Sequence, residues 1–559
     1  MGRGGVDLGR RAGPGSPRGT DGSGFPVLPA RALPVLLLLA VATSTPAGAQ
    51  LGPGHWDPDD RVLVADFSTV TALARSSDRV YAATTRGLVE IRDVFRAWEP
   101  PLTREDGWPD APVPALAFSR ADGVLWLAVS DGRLLALDPG SRRWIDEIPV
   151  DRPVRRLVPD ASPEGGLLLG TDAGWFRLDP FSRLLARASR EQAAEAVDRN
   201  PDLRARRDLI ASPGFESVRT FLGSGPDGRS YDVTDLIPAD DPARFWIATA
   251  GGGLVLFDSF SRDWRPVPAG LRGRGAAAVV ADGDAVWIAP LAPEDGRYGL
   301  TRVGPELDDW RIESAPEFPG APDLDVRALL RRGDVLWAAG ARGLFRRDPS
   351  GRWAPAARDL GIGDLLLALD GEEDGSGEAL WVGGERGLVR LRPGSESAER
   401  VLTGTPVVAV HASDGGAWAA TPRGLVRVGA SGISAPAEGL LPLPCGAVAG
   451  AGDTVWAGLD REVWRRDPEG GWGRVEAIGR LAGPVTALAF RDGVLWAGGP
   501  EELVTWDARG GSLRRYTFTG GDLPMGPFGE RGIAAILPVG RTRAWLALPA
   551  GALRLDTDL

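Results

Sequence analysis

Few residues in this chain are equipped for chemistry. There are two histidines, His55 and His411, one cysteine, Cys445, and no lysine, so all 64 basic residues are arginines. A Schiff-base or phosphate-binding lysine, a disulfide framework and a histidine-rich metal site are therefore excluded. A Ser, His and acid triad would have to recruit His55, which precedes the patterned part of the chain, or His411, which follows the apolar run Val407 to Val410 and reads as a hairpin residue. No catalytic residue, metal ligand set or cofactor is expected. The 75 acidic residues leave paired carboxylates, and hence a glycan hydrolase or lyase, as the alternative reading.

The sharper signal lies in four arginines. Arg86, Arg342, Arg386 and Arg423 each open an Arg-Gly-Leu triplet a few residues after an aromatic residue. Guanidiniums at equivalent places could form an arc suited to bidentate recognition of carboxylate, sulfate or phosphate. The competing explanation is that exposed turns tolerate arginine in a chain without lysine.

The elements that must hold these triplets come from an internal repeat. Each unit starts with a short apolar alternation, turns at Asp-Gly or a similar pair, continues as Leu-Trp-x-Ala/Gly, turns again at x-Gly, and runs towards a second Trp. Eleven units centre on Tyr81, Trp126, Leu168, Trp246, Trp287, Trp337, Trp381, Trp418, Trp456, Trp496 and Trp545, spaced 37 to 50 residues apart except for one interval of 78. Period-two alternation punctuated by Gly, Asp and Pro excludes helical solenoids, and the interval matches a four-stranded blade of about 40 to 50 residues. Nine Trp fall on second strands and six (98, 144, 264, 310, 353 and 472) on fourth strands, where packing between blades is the expected role. The fold expected is thus all-β, a β-propeller of about eleven four-stranded blades.

The Asp-Gly-x-Leu-Trp-x-Gly and x-x-Gly-Leu-x-x-x-Asp pattern resembles the two-component-regulator propeller repeat, known from periplasmic sensor regions of bacterial hybrid histidine kinases. The resemblance covers roughly residues 60 to 559 and implies a propeller that recognises a ligand or partner. No kinase, transmembrane or DNA-binding segment follows the last unit, so the implied role is recognition, with sensing left to a link with another protein. Two enzymatic propeller types fit poorly. In Ser119-Arg-Ala-Asp-Gly-Val-Leu-Trp126 the Ser-to-Asp interval is one residue longer than in the sialidase turn, and a quinoprotein's adjacent cysteines cannot exist here.

The last unit lacks a fourth strand, and Arg61-Val-Leu-Val-Ala-Asp66 has the length and alternation to supply it. Eleven blades exceed the usual four to eight, so two rings are expected, with Pro-rich Ser314 to Pro322 as the junction. Units one to five would occupy residues 50–320 and units six to eleven residues 321–559, and one large ring is the alternative. The 78-residue interval holds an insertion, 189–232. Ser189-Arg-Glu-Gln192 reads as a capping box, Glu191 to Arg199 and Asp202 to Ile210 as helices, and Phe215 to Leu222 with Arg229 to Thr234 as a hairpin. Its role is expected to be a decoration or divergent blade, or else a partner contact or lid.

Residues 1–49 read as a leader with a secretory signal, its core at 31–49: Arg31, an apolar run over 32–42, and Ala47-Gly48-Ala49 before the cleavage point. The run is too short to span a bilayer. The leader carries a net charge of +3, which leaves −14 on the rest of a chain whose total is −11. An acidic body excludes nucleic acid and anionic lipid as natural partners. The expected protein is a periplasmic or secreted binding or scaffold protein without a membrane span, recognising a glycan, peptide or protein.

Overall fold

The computed structural model describes residues 61–557 apart from short stretches, the longest of which are 216–228 and 518–531. The expected secretory signal, His55 and most of the expected 215–234 hairpin lie outside the described residues.

Eleven antiparallel sheets follow one another along the chain, one for each unit of the repeat, and each has four strands in its main path. Blade six shows the pattern: Val326–Arg332, Val335–Gly340, Gly343–Arg347 and Trp353–Ala357 pair in chain order. Alternation puts every second side chain against a neighbouring blade. The nine second-strand Trp are at most 4% exposed, so their indoles fill the layers between blades. Trp126 of blade two, for example, packs with Leu157 and Leu169 of blade three.

The hairpins are set by local chemistry. Asp492 and Gly493, at φ 53° and 87°, form the two-residue turn between Arg491 and Val494, where paired positive φ matches the strand twist. Asp122 and Gly123 sit instead in a four-residue loop between Ser119 and Val124. First strands recurrently carry a bulge near their start, as between Val70 and Ala72, Val233 and Asp235, and Val326 and Ala328. A bulge re-aims the extra side chain. In blade one that residue is Thr71, whose Oγ1 donates to Val113 O (2.6 Å) at the entry to blade two, and in blade four it is Thr234, which donates to Val70 O (2.7 Å) of blade one.

These contacts fix the order of blades. Thr234 already places blade four against blade one, and the layer shared by Trp246, Ile237, Val70 and Leu73 confirms that seam. Blade five packs against blade eleven, where Ala276, Val279 and Ile288 meet Trp545, Ala547 and Ala552. Blades five to eleven thus close a seven-membered ring, with consecutive first strands packed side by side. Its closing strand is Arg61–Val64, paired with the third strand of blade eleven from Arg61↔Leu555 to Val64↔Ala552. The expected closure by the segment 61–66 is therefore realised through Arg61–Val64, while Ala65 and Asp66 already belong to the crossing that follows.

Blades four, one, two and three form the other succession, and two helices complete its circuit. Helix α1 (Arg190–Arg199) sets Ala193 and Ala196 against Val158 and Leu168 of blade three, and α2 (Pro201–Ile210) sets Ala205 and Leu209 against Leu236 and Phe245 of blade four. Both begin where their caps dictate. Ser189 accepts from Gln192 N (3.2 Å) while Gln192 accepts from Ser189 N (2.8 Å), and the chain's one asparagine, Asn200, accepts from Asp202 N and Leu203 N. These two helices stand between blades three and four, where a further blade would sit.

The chain crosses from blade eleven to blade one at 65–69 and back from blade four to blade five at 268–273. Ser314 to Pro322 joins two adjacent blades of the seven-membered ring, because the apolar faces of blade five are matched by blades six and eleven. Pro319 lies in a turn, not at the passage between rings.

Candidate functional site

The four arginines sit on the turns between second and third strands, and the backbone of each turn is tied down. Thr84 Oγ1 accepts from Arg86 N (3.1 Å) and Gly87 N (3.0 Å) and donates to Gly87 O (2.8 Å). Thr421 repeats this in blade eight, accepting from Arg423 N (3.1 Å) and donating to Gly424 O (2.7 Å). In blade seven Arg386 N donates to Ile362 O (2.8 Å) and Arg386 O accepts from Gly404 N (2.8 Å). The glycine after each arginine is required. Gly387 has φ 154°, and a Cβ there would come within 2.1 Å of Leu402 O.

Arg342, Arg386 and Arg423 are exposed and stand on three consecutive blades, six, seven and eight. Equivalent turns of successive blades project from one face of a ring. Arg342 adopts φ 69° and has an interaction of its own. Arg386 and Arg423 have no carboxylate within 4.0 Å among the described residues. Arg86 is equivalent in its turn but belongs to blade one, in the other succession, and its Nη2 lies 3.2 Å from Glu294 Oε1. The structure thus separates one arginine from the three it places in sequence around a ring.

The remaining chemistry-bearing residues are engaged in packing. His411 lies within the first strand of blade eight, its Nδ1 3.4 Å from Asp370 Oδ2, which also accepts from Ala412 N (2.8 Å). Cys445 is buried, and burial pushes its thiol up to about 12, far from a reactive thiolate. No group of three His, Cys, Asp or Glu side chains able to hold a metal occurs among the described residues.

The sequence reading missed the seam between the two sets of blades. A long connection in blade five, between Ala285–Ala292 and Leu300–Val303, reaches the crossing at 65–69. Its Arg297, 3% exposed, donates through Nη1 to Gly251 O (2.8 Å) and to Ser68 Oγ, and its Nη2 is 3.6 Å from Asp66 Oδ2. Asp66 also accepts from Ser68 N (2.9 Å) and Gly273 N (3.1 Å). Burial pushes the Asp66 carboxyl above its ordinary range, against the opposing pull of Arg297 and the bonds from Ser68. Beside this lock is a cavity of about 450 Å³, walled by Phe67 and Val89 of the first crossing and blade one, Leu254 and Val267 of blade four, and Trp310 and Phe318 of the blade five region. The available signal was spacing: the step from Trp287 to Trp337 is the longest of the ordinary intervals.

No protein-family model matches the chain, and no curated protein matches it. Among solved structures it is similar to PorZ, a bacterial surface component of the type-IX secretion system of Porphyromonas gingivalis, at 11% identity over 89% of this chain and 87% of that one, with a TM-score of 0.52. It is also similar to the extracellular domain of a B. thetaiotaomicron protein described as a hybrid two component system, at 13% identity over 88% of this chain and 70% of that one, with a TM-score of 0.42. The PorZ likeness shows a shared fold. With its eleven four-stranded blades the chain is a β-propeller. Among the described residues no helix is long and apolar enough to cross a membrane.

Proposed function

We propose that this propeller is an exported recognition module that binds an anionic ligand, an acidic glycan or an acidic stretch of peptide or protein, across Arg342, Arg386 and Arg423. The observation that carries the reading is the pair Arg386 and Arg423: exposed guanidiniums on tied-down turns of adjacent blades, without carboxylate partners among the described residues. A fixed turn beneath a planar fork lowers the entropy lost when it grips a carboxylate, sulfate or phosphate. Export rests on the leader with its apolar run at 32–42 and its cleavage point after Ala49. PorZ, whose fold is shared, is itself a bacterial surface component.

Binding of the wild-type chain to an array of acidic glycans and acidic peptides tests the proposal. The triple substitution Arg342→Ala, Arg386→Ala and Arg423→Ala is expected to abolish binding, while Arg86→Ala leaves it intact. Affinity should also fall steeply with added salt, as expected for exposed charges. Equal binding by the triple variant would remove this face from the mechanism.

A further inference from the structure

We propose that the cavity at the seam of the two blade sets is a second binding site, for a small amphipathic organic anion: an aliphatic or aromatic body carrying one carboxylate or sulfonate. Protein interiors close most voids down to the size of a water molecule. At about 450 Å³ this space falls instead within the range of small-molecule pockets. It opens off the layer between blades one and four, whose Phe67, Val70, Val89 and Leu254 line it. Its walls come from blade one, blade four, the region of blade five and both crossings, so it exists only because the two sets meet.

Its lining defines the occupant. Phe67, Val89, Leu254, Val267, Ile312 and Phe318 make most of the surface apolar, which suits a hydrocarbon body and gains free energy by removing it from water. The charged residues that line it are Arg272 and Arg311, and no carboxylate lines it among the described residues. Arg311 lies 2.9 Å from the buried Glu313, but Glu313 also receives two hydrogen bonds from Arg347 (2.8 and 3.0 Å) and one from Trp353 Nε1 (2.7 Å). Two guanidiniums therefore share one carboxylate.

The probe is 8-anilinonaphthalene-1-sulfonate, an aromatic body with one sulfonate, titrated by fluorescence into the full folded chain at neutral pH, with decanoate and decanol as competitors. One saturable site is expected, displaced by decanoate at least tenfold better than by decanol. Ala269→Trp, which fills the cavity from the 268–273 crossing, should remove the site without lowering the unfolding midpoint. Should Ala269→Trp not fold, Val267→Phe serves the same purpose from blade four. The inference is overturned if no saturable site appears, if a folded filling variant binds the probe as the wild type does, or if decanol competes as well as decanoate. The Arg342, Arg386 and Arg423 substitutions lie elsewhere and should leave this titration unchanged, so the two binding sites are tested separately.

Discussion

The seven-membered ring and the smaller succession are built from the same repeat and closed by opposite means. Blades five to eleven close through strand 61–64, which completes the fourth strand of blade eleven with continuous backbone pairing. Blades one to four close through α1 and α2, and side chains hold that closure. Arg206 Nη1 is 2.6 Å from Asp235 Oδ1, Arg199 Nη1 is 3.9 Å from Asp160 Oδ1, and Arg75 and Arg120 both approach Asp202 at the start of α2. A backbone ladder hides two sheet edges wherever it forms. A helical wedge depends on which residues occupy its faces. The difference teaches that a repeat fixes the blade and leaves closure to the material at its ends.

The largest effect should separate the two closures. Val62 is fully buried in the closing strand and Ala196 is fully buried in α1. Val62→Asp places a charge in the layer of blades five and eleven and should cost about 4 kcal/mol or more, enough to open that ring. Ala196→Asp lies in a smaller cluster beside the solvated helix face and should cost about 2 kcal/mol. Hydrogen exchange read blade by blade checks both. Protection should fall in blades five and eleven for the first variant and in blades three and four for the second. Uniform loss in both variants would mean the two sets unfold as one body and would break the comparison.

A second test acts on the wedge through pH. Asp235 is buried, and desolvation pushes its carboxyl above the ordinary range while Arg206 and the N–H groups of Leu73 and Leu236 oppose this. A folded-state pKa raised above the unfolded value means the folded chain holds the proton more tightly, so this group's contribution to stability falls as pH rises through that window. Arg206→Ala removes the compensating charge and should cost about 2 kcal/mol at neutral pH, discounted from a fully buried pair because Arg206 is partly exposed. Denaturation midpoints across pH should show the penalty shrinking as Asp235 becomes protonated. Adding Asp235→Asn should recover most of it, and a penalty independent of pH would assign the effect to lost packing.

What the sequence disclosed follows from how locally each feature is encoded. Blade number, the Trp layers and both helices were legible because alternation, hairpin residues and the Ser189 and Asn200 caps act within a few residues. The closing strand was legible because blade eleven visibly lacked one. Which blades neighbour which was not legible. Every unit offers the same two apolar faces, so nothing in unit five distinguishes blade eleven from blade four as its partner. The seam was hidden for the same reason. Asp66 and Arg297 meet across more than two hundred residues, and neither belongs to the repeat. For the arginine turns, the triplet showed equivalent placement, while the separation of Arg86 from the others emerged only with the ring order.

The smallest effect concerns the turns between third and fourth strands, where the two sets also differ. In blades six, nine and ten the left-handed position is Gly351, Gly470 or Gly511, with Leu307 (φ 61°) the exception in blade five, whereas in blades two, three and four it is Arg142, Arg183 or Arg262, at φ 56°, 60° and 60°. The preceding aspartate makes this tolerable: Asp258 accepts from Phe260 N and Ser261 N (both 3.0 Å), and Asp179 accepts from Phe181 N and Ser182 N. A left-handed arginine still costs about 1 to 2 kcal/mol, and glycine would return about half of that after its larger unfolded-state entropy is counted. Arg262 is exposed, so Arg262→Gly should raise stability by about 0.5 kcal/mol. Arg183 bears the same strain but lies 3.3 Å from both Asp122 and Asp146, with its guanidinium 4.8 Å from the Trp126 ring centroid. Arg183→Gly should therefore lower stability, by about 1 kcal/mol. Opposite signs in the two denaturation midpoints would show that side-chain contacts, not backbone preference, retain arginine in blade three, and equal signs would leave its presence there without that explanation.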